Sequence, residues 1–337
     1  MTLFFLMEAE SCMTMPTETG ISIPHFCELL ASIDTVAHPT DGAEFLVSEP
    51  PAKSAIPIKV LSKARAGVKN SAIAVMFHGA VNQETRKLPV FYGDQVAKRY
   101  GETVTTIAIA DPSLRLHKSL LSTWYAGDHE ISTQSILRNL FASLDEVFNP
   151  SRLLFLGGST GAHPALYHSR EFKNGLCLLA NPLPSISNYY EKSVQAYLSH
   201  CWPNKVSSDV IGRQVQDNIG TLYAESHHNT VIVLQNSTDP HMCGQVLPFV
   251  KNLRDHRKSL FVSEYFENCI GHNYPSDRWM HWVSAAINSA EVDTMAIAKI
   301  AAELRMATAN NGNNKDRKPT FSTRDIQIAD QIANQLN

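Results

Sequence analysis

Leu153-Leu154-Phe155-Leu156-Gly157-Gly158-Ser159-Thr160-Gly161 is the stretch whose reading decides the fold. Four consecutive large apolar residues bounded by glycine read as a parallel strand buried on both faces. The segment from Ala162 to Ser169 has the composition of a helix start, with Pro164 inside the first turn where proline is tolerated. Strand, glycine turn and helix with a serine at the tip, spaced G-x-S-x-G, is the pattern of a nucleophile elbow. The spacing has a steric cause. A serine lifted out of so sharp a turn leaves no room for side chains two residues before and after it, and Gly157 and Gly161 remove them. The competing reading is a glycine-rich phosphate loop, but no Lys-Ser or Lys-Thr follows and G-x-G-x-x-G is absent.

Outward from this stretch, apolar runs alternate with helical periodicity. Toward the N-terminus, Ala72 to Phe77 reads as a buried strand ending in His78-Gly79-Ala80, and Val104 to Ala110 as another ending at Asp111-Pro112. A helix is expected over Val90 to Tyr100. Ile136, Leu137, Leu140, Phe141, Leu144 and Val147 form one face of a long amphipathic helix that follows a loop containing Trp124-Tyr125. Earlier still, Phe45 to Val47 and Ile58 to Leu61 alternate as partly exposed strands should, and Phe26, Leu29, Leu30 and Ile33 sit at helical spacing in a packing arm over residues 1–42.

Toward the C-terminus, Leu176 to Ala180, Thr230 to Leu234 and Ser259 to Tyr265 read as strands, Val246 to Leu253 and Arg278 to Ala290 as helices. Residues 184–228 break the rhythm with aromatic and polar residues and read as a helical insertion over the sheet. The resulting organisation is an arm (1–42), an α/β domain (43–290) and a helical extension (291–337). The extension has one helix near Met295 to Met306 and a second, capped by Ser322 or Thr323, with Ile326, Ala329, Ile332 and Leu336 on one face. That face should dock on the body or join two copies as a homodimer.

The chain has 337 residues, 44% of them apolar, and a formal net charge of −3. That is ample for one large α/β domain with extensions, and there is no basic excess to attract nucleic acid. Six scattered cysteines without C-x-x-C spacing imply reduced thiols and a cytoplasmic setting. The apolar opening 1–7 is too short for a signal peptide or a membrane span. No metal-ligand spacing appears, and neither a metal nor a cofactor is expected.

Alternating strands and helices predict a three-layer α/β/α sandwich with a mainly parallel sheet, and such sheets bind ligands beyond the carboxyl ends of their strands. Those ends carry His78-Gly79, Asp111, Ser159, Asn181 and Asp239, with His272 one loop past the last strand. A serine becomes a nucleophile only when a base takes its proton and an acid holds that base. His272, in Gly271-His272-Asn273, is the candidate base; Asp239, in Asn236-Ser237-Thr238-Asp239-Pro240, is the candidate acid, with Asp111 as its nearest rival.

The order Ser159, Asp239, His272 on those strand ends resembles the α/β-hydrolase superfamily over residues of about 45–290. The resemblance implies an oxyanion hole built from the amide of Thr160 and an amide of the His78-Gly79-Ala80 turn, either Gly79 or Ala80. His78, Trp124, Tyr125, Asn181 and Tyr189 are candidates to line the substrate, though aromatic residues of an insertion also simply pack. The run Asn181 to Tyr189, with Trp124-Tyr125, is similar to segments of bacterial α/β-hydrolase-like proteins associated with cell-surface glycan synthesis. It is more distantly similar to the accessory-secretion family that acetylates glycans.

These resemblances imply a serine esterase or O-acyltransferase acting on a small ester, a thioester or an acylated glycan. The alternative is a catalytically silent module that binds a glycan or a protein partner.

Overall fold

The computed structural model describes residues 20–33, 42–65, 68, 71–253, 255 and 257–311. In chain order its elements are α1 (Ile23–Ser32), β1 (Ala43–Val47), β2 (Ile56–Ser62), β3 (Ala72–Phe77), α2 (Asp94–Tyr100), β4 (Val104–Ile109), α3 (Thr133–Phe148), β5 (Leu153–Gly158), α4 (Ala162–Ser169), β6 (Gly175–Ala180), α5 (Glu191–Cys201), α6 (Ser207–Val210), α7 (Ile219–Glu225), β7 (Thr230–Asn236), α8 (Leu247–Val250), β8 (Ser259–Glu264), α9 (Ser276–Asn288) and α10 (Thr294–Asn311). The eight strands form one sheet in the order β1-β2-β4-β3-β5-β6-β7-β8. Only β2 runs against the others, pairing antiparallel with both β1 and β4. From β3 the chain moves outward to β4 and then returns to the other side of β3 as β5, so the direction of winding reverses between β3 and β5. That reversal opens the crevice in which a sheet of this kind holds its ligands.

The central strands are apolar throughout because both faces are covered. Val75, Phe77, Ile107, Phe155, Cys177 and Val233 face a layer containing α1, α3, α4 and α7, while Ala74, Met76, Leu154, Leu156, Leu178 and Leu234 face α2, α9 and α10. A third, smaller core lies over the carboxyl ends of the strands, where Leu114, Leu120 and Trp124 meet Ile186, Tyr197, Trp202 and Val210. The aromatic residues from 184 onward thus cover the end of the sheet rather than extend it. The two ends of this insertion meet side by side: Ser185 bridges Asn218 and the Ile219 amide donates to the Pro184 carbonyl at 3.1 Å. Gln245 then clamps Ser185, accepting from its amide at 3.0 Å and donating to its carbonyl at 2.9 Å.

Two helices differ from their expected bounds. α2 begins at Asp94 rather than near Val90, because Gly93 takes φ +125°, which a right-handed helix excludes. In place of a single helix over Val246 to Leu253, a π-turn at Met242–Val246 runs into the short α8. The described part of the arm, α1, buries Phe26 and Leu30, and Phe26 packs edge-on against Phe45 of β1 at 5.3 Å. α10 docks on the body: Ile297 and Ala301 are buried, and Arg305 pairs with Glu264 of β8 at 2.9 Å. The expected second tail helix, with its homodimer role, and the opening residues 1–19 lie outside the described residues. So does Cys12; the other five cysteines are free thiols. Among the described residues no helix is long and apolar enough to cross a membrane.

α4 is buried on nearly every side, and it carries His163, whose Nε2–H donates to the Asp217 carbonyl at 3.1 Å and ties the insertion to the sheet. Burial pushes this imidazole down to about 4. As pH falls below the ordinary histidine value the unfolded chain therefore takes up a proton that the folded chain refuses, so stability declines between about pH 6.5 and pH 4 by about 3 kcal/mol from this group. Urea unfolding at pH 7.5 and pH 4.5 should show that loss. His163→Gln, which keeps a donor for Asp217, should show a smaller one, and an identical pH slope in the variant would refute the assignment.

Candidate active site

Ser159 follows β5 at φ +54°, a left-handed conformation that costs a side-chain-bearing residue roughly 1 kcal/mol or more. The surrounding backbone enforces it. A Cβ on Gly157 would lie 2.2 Å from the Gly161 carbonyl oxygen, and one on Gly161 would lie 2.6 Å from that of His78 and 2.8 Å from that of Phe77. The turn after β5 therefore sits directly against the end of β3, which leaves no space for any residue but glycine at these two positions. The turn leaves Ser159 partly exposed at the carboxyl end of the sheet.

His272 comes to Ser159 from the far end of the chain. Its Nε2 lies 2.8 Å from Ser159 Oγ and its Nδ1 2.8 Å from Asp239 Oδ2. Asp239 is 4% exposed. Burial by itself would raise its pKa, but hydrogen bonds from His272, from the His241 amide and from Gln235, together with the charge of His272, outweigh this and hold the carboxyl below the ordinary value. An ionised carboxylate only accepts, so Nδ1 carries the proton and donates it to Asp239. Nε2 is then the free acceptor that faces the serine hydroxyl.

The loop bearing His272 is held by β7. Asn236 donates through its amide nitrogen to the carbonyls of Cys269 at 2.6 Å and Asn273 at 2.9 Å, and Thr238 Oγ1 accepts from the Gly271 amide at 2.9 Å. Gly271 turns the chain at φ +81° immediately before His272. Behind it, Asn181 Oδ1 accepts from the Asn236 amide at 2.8 Å. The carboxyl ends of β6 and β7 are thereby linked by side chains to the loop that carries His272.

The turn after β3 lies on Ser159: a Cβ on Gly79 would be 3.3 Å from Ser159 Cβ and 3.9 Å from its Oγ. His78 is 2% exposed and its Nε2 accepts from the Asp111 amide at 3.1 Å, so the proton is on Nδ1, which donates to the Gly79 carbonyl at 2.7 Å. Burial lowers the pKa of this ring and favours the neutral form that the two bonds require. A trans peptide points its C=O and the following N–H in opposite directions. By holding the Gly79 carbonyl inward, His78 turns the Ala80 N–H outward, and that N–H meets no acceptor among the described residues.

No protein-family model matches the chain, and no curated protein matches it by sequence. Solved structures do. A puromycin-hydrolysing peptidase of Mycobacterium tuberculosis is 14% identical, over 73% of this chain and 39% of its own, with a TM-score of 0.51. The chain has the α/β-hydrolase fold. It also matches a glycosylation-associated protein complex (Gap123) from Streptococcus agalactiae at 13% identity, 82% and 48% coverage and a TM-score of 0.49. The capsule O-acetyltransferase of Neisseria meningitidis serogroup A matches at 12%, with 79% and 94% coverage and 0.48. The chain spans less than half the length of the first two.

Within this hydrolase fold, several residues read from the sequence as substrate-lining are interior. Trp124 is 0% exposed and packs edge-on against Tyr189 and Tyr197; Tyr125 is 1% exposed, donating its hydroxyl to the Ile109 carbonyl and accepting from the His78 amide. His78 spends both ring nitrogens and Asn181 its Oδ1 on the backbone, as described, and Tyr189 is half-buried. Asp111, the rival acid, bonds the amides of Ser113 and Tyr125. Asn236 and Gln235 went unnoticed in the sequence because polar residues at a strand end look like an ordinary turn; their adjacency to the Asn236–Pro240 turn was the available signal.

Replacing Asn236 by alanine leaves two loop carbonyls without donors and should cost about 2 kcal/mol in urea unfolding, with faster amide exchange over 266–274. Asn236→Asp sets a carboxylate against the same carbonyls and should do no better. Near-native stability and exchange in both variants would show that the loop is held by other means.

Proposed function

We propose that the chain is a serine esterase or acyltransferase that works through an acyl-enzyme on Ser159. The observation that carries this reading is the unbroken relay Ser159 Oγ, His272 Nε2, His272 Nδ1, Asp239 Oδ2, with both hydrogen bonds at 2.8 Å. Ser159 Oγ attacks an ester or thioester carbonyl while its proton passes to His272 Nε2. Asp239 stabilises the resulting imidazolium and remains a carboxylate throughout. The carbonyl oxygen becomes an oxyanion facing the amides of Thr160 and Ala80, each worth roughly 3 to 4 kcal/mol of transition-state stabilisation.

Collapse of the tetrahedral intermediate breaks the bond to the leaving oxygen or sulfur, which takes the proton from His272. A second hydroxyl then gives its proton to His272, attacks the acyl-serine and regenerates Ser159. Water as that hydroxyl makes the chain an esterase; a sugar hydroxyl makes it an acyltransferase. The likeness of the Asn181 to Tyr189 run to glycan-associated proteins supports the sugar as acceptor.

A fluorophosphonate probe followed by intact mass tests the reading. Wild type should gain one adduct; Ser159→Ala and His272→Ala should gain none; Asp239→Asn should label roughly a thousandfold or more slowly. A folded wild type that stays unlabelled points instead to the silent binding module.

A further inference from the structure

The relay does not use the aromatic residues that adjoin it. His241 stands edge-to-face on His272, with ring centres 5.0 Å apart. Tyr189 stacks on His241 at 5.6 Å and Tyr190 meets the same ring edge-on at 5.1 Å, with the two tyrosines 4.8 Å from each other. Tyr189 is backed in turn by Trp124 at 5.7 Å, and Trp124 by Tyr197, whose hydroxyl is fixed between the Gly127 carbonyl and the Trp202 indole. A continuous run of rings therefore leads from a fully buried tryptophan to the candidate base. Tyr190, which touches both Tyr189 and His241, is 57% exposed and leaves this run open to solvent at its side. His241 is half-buried, and burial lowers its pKa despite the nearby Asp239 carboxylate, so it presents a neutral ring.

We propose that Tyr190, Tyr189 and His241 form a subsite for the alcohol half of the ester, and that this alcohol carries a six-membered ring. The inference rests on the acyl-enzyme reading for its direction. His272 Nε2 must come within hydrogen-bond reach of the leaving or attacking oxygen, so the alcohol half passes beside the His272 ring. A six-membered ring bonded to that oxygen has its centre within about 5.5 Å of Nε2, which sets it beside the His272 ring, where His241 is the neighbouring ring at 5.0 Å. A pyranose presenting axial C–H groups and an aryl ring presenting its face both satisfy a tyrosine surface; an acyclic alkyl alcohol covers much less of it. Because Tyr189 and His241 are already packed against their neighbours, the side-chain freedom lost on filling the subsite is mainly that of Tyr190.

Two measurements on wild type, Tyr190→Ala and Tyr190→Phe decide the matter. The first is binding of phenol, methyl β-glucopyranoside and glycerol by saturation-transfer NMR. The proposal expects the ring compounds to bind wild type and Tyr190→Phe, and to bind Tyr190→Ala about tenfold more weakly, with glycerol insensitive to the change. Which of the two ring compounds binds more tightly identifies an aryl or a sugar alcohol. Equal weakening for all three compounds, or no weakening for any, overturns it.

The second is the ratio of kcat/KM for phenyl acetate or a pyranosyl acetate to that for ethyl acetate. The ratio should fall about tenfold in Tyr190→Ala and stay within twofold of wild type in Tyr190→Phe; a constant ratio counts against the subsite. Fluorophosphonate labelling separates the two ideas. Labelling of Ser159 without any Tyr190-dependent ring binding removes the subsite alone. Tyr190-dependent ring binding in a chain that does not label removes the acyl-enzyme and leaves a ring-binding surface.

Discussion

The contact on which the rest of the site depends is backbone against backbone: the glycine turn after β5 lying on the last carbonyls of β3. With 2.2 Å between the Gly161 oxygen and the place where a Gly157 side chain would begin, the turn has no slack. The same contact forces Ser159 into its left-handed conformation and brings the Gly79 turn beside its hydroxyl. Ser159 and the Gly79 turn are therefore positioned by one steric constraint instead of by separate loops. The buried strands on either side, apolar on both faces, supply the rigidity that holds this constraint in place.

The second level of organisation is polar and runs along the carboxyl edge of the sheet. Asn181, Asn236, Thr238 and Gln235 fasten the loop of His272 and the carboxylate of Asp239 to β6 and β7, while His78, Asp111 and Tyr125 fasten the turn after β3 to β4. All of these groups but the half-buried Thr238 are buried, and each bonds a backbone atom or another member of the set. Such a network costs stability when any one partner is lost, and in exchange gives His272 and the turn after β3 a single arrangement. His78 shows the logic most plainly: two bonds fix its tautomer, and the tautomer fixes a peptide plane.

Much of this was legible in the sequence. Leu153 to Gly161 declared a buried strand and a glycine turn because unbroken apolar runs have few other homes, and the elements around it followed from periodicity. Ser159, Asp239 and His272 stood out because a doubly wound sheet places its strand ends together whatever lies between them. What was hidden depended on backbone angles and on partners distant in the chain. Gly93 at φ +125° delays α2, and Trp124 and Tyr125, both at positive φ, turn inward, where an aromatic pair in a polar loop reads as a surface for ligand. Asn236 looked like punctuation because its partners, the carbonyls of Cys269 and Asn273, come into reach only through the fold.

The neck of the insertion has a consequence for how this protein can change. Residues 186–217 leave and re-enter the body through adjacent positions, with Ser185 bridged to Asn218 and Gln245 locking the junction. A segment whose two ends are already held together transmits little of its own length or shape to the strands on either side. It behaves as a cassette: the wall it builds beside His272 can be lengthened, shortened or exchanged while β6, β7 and the residues they hold keep their register.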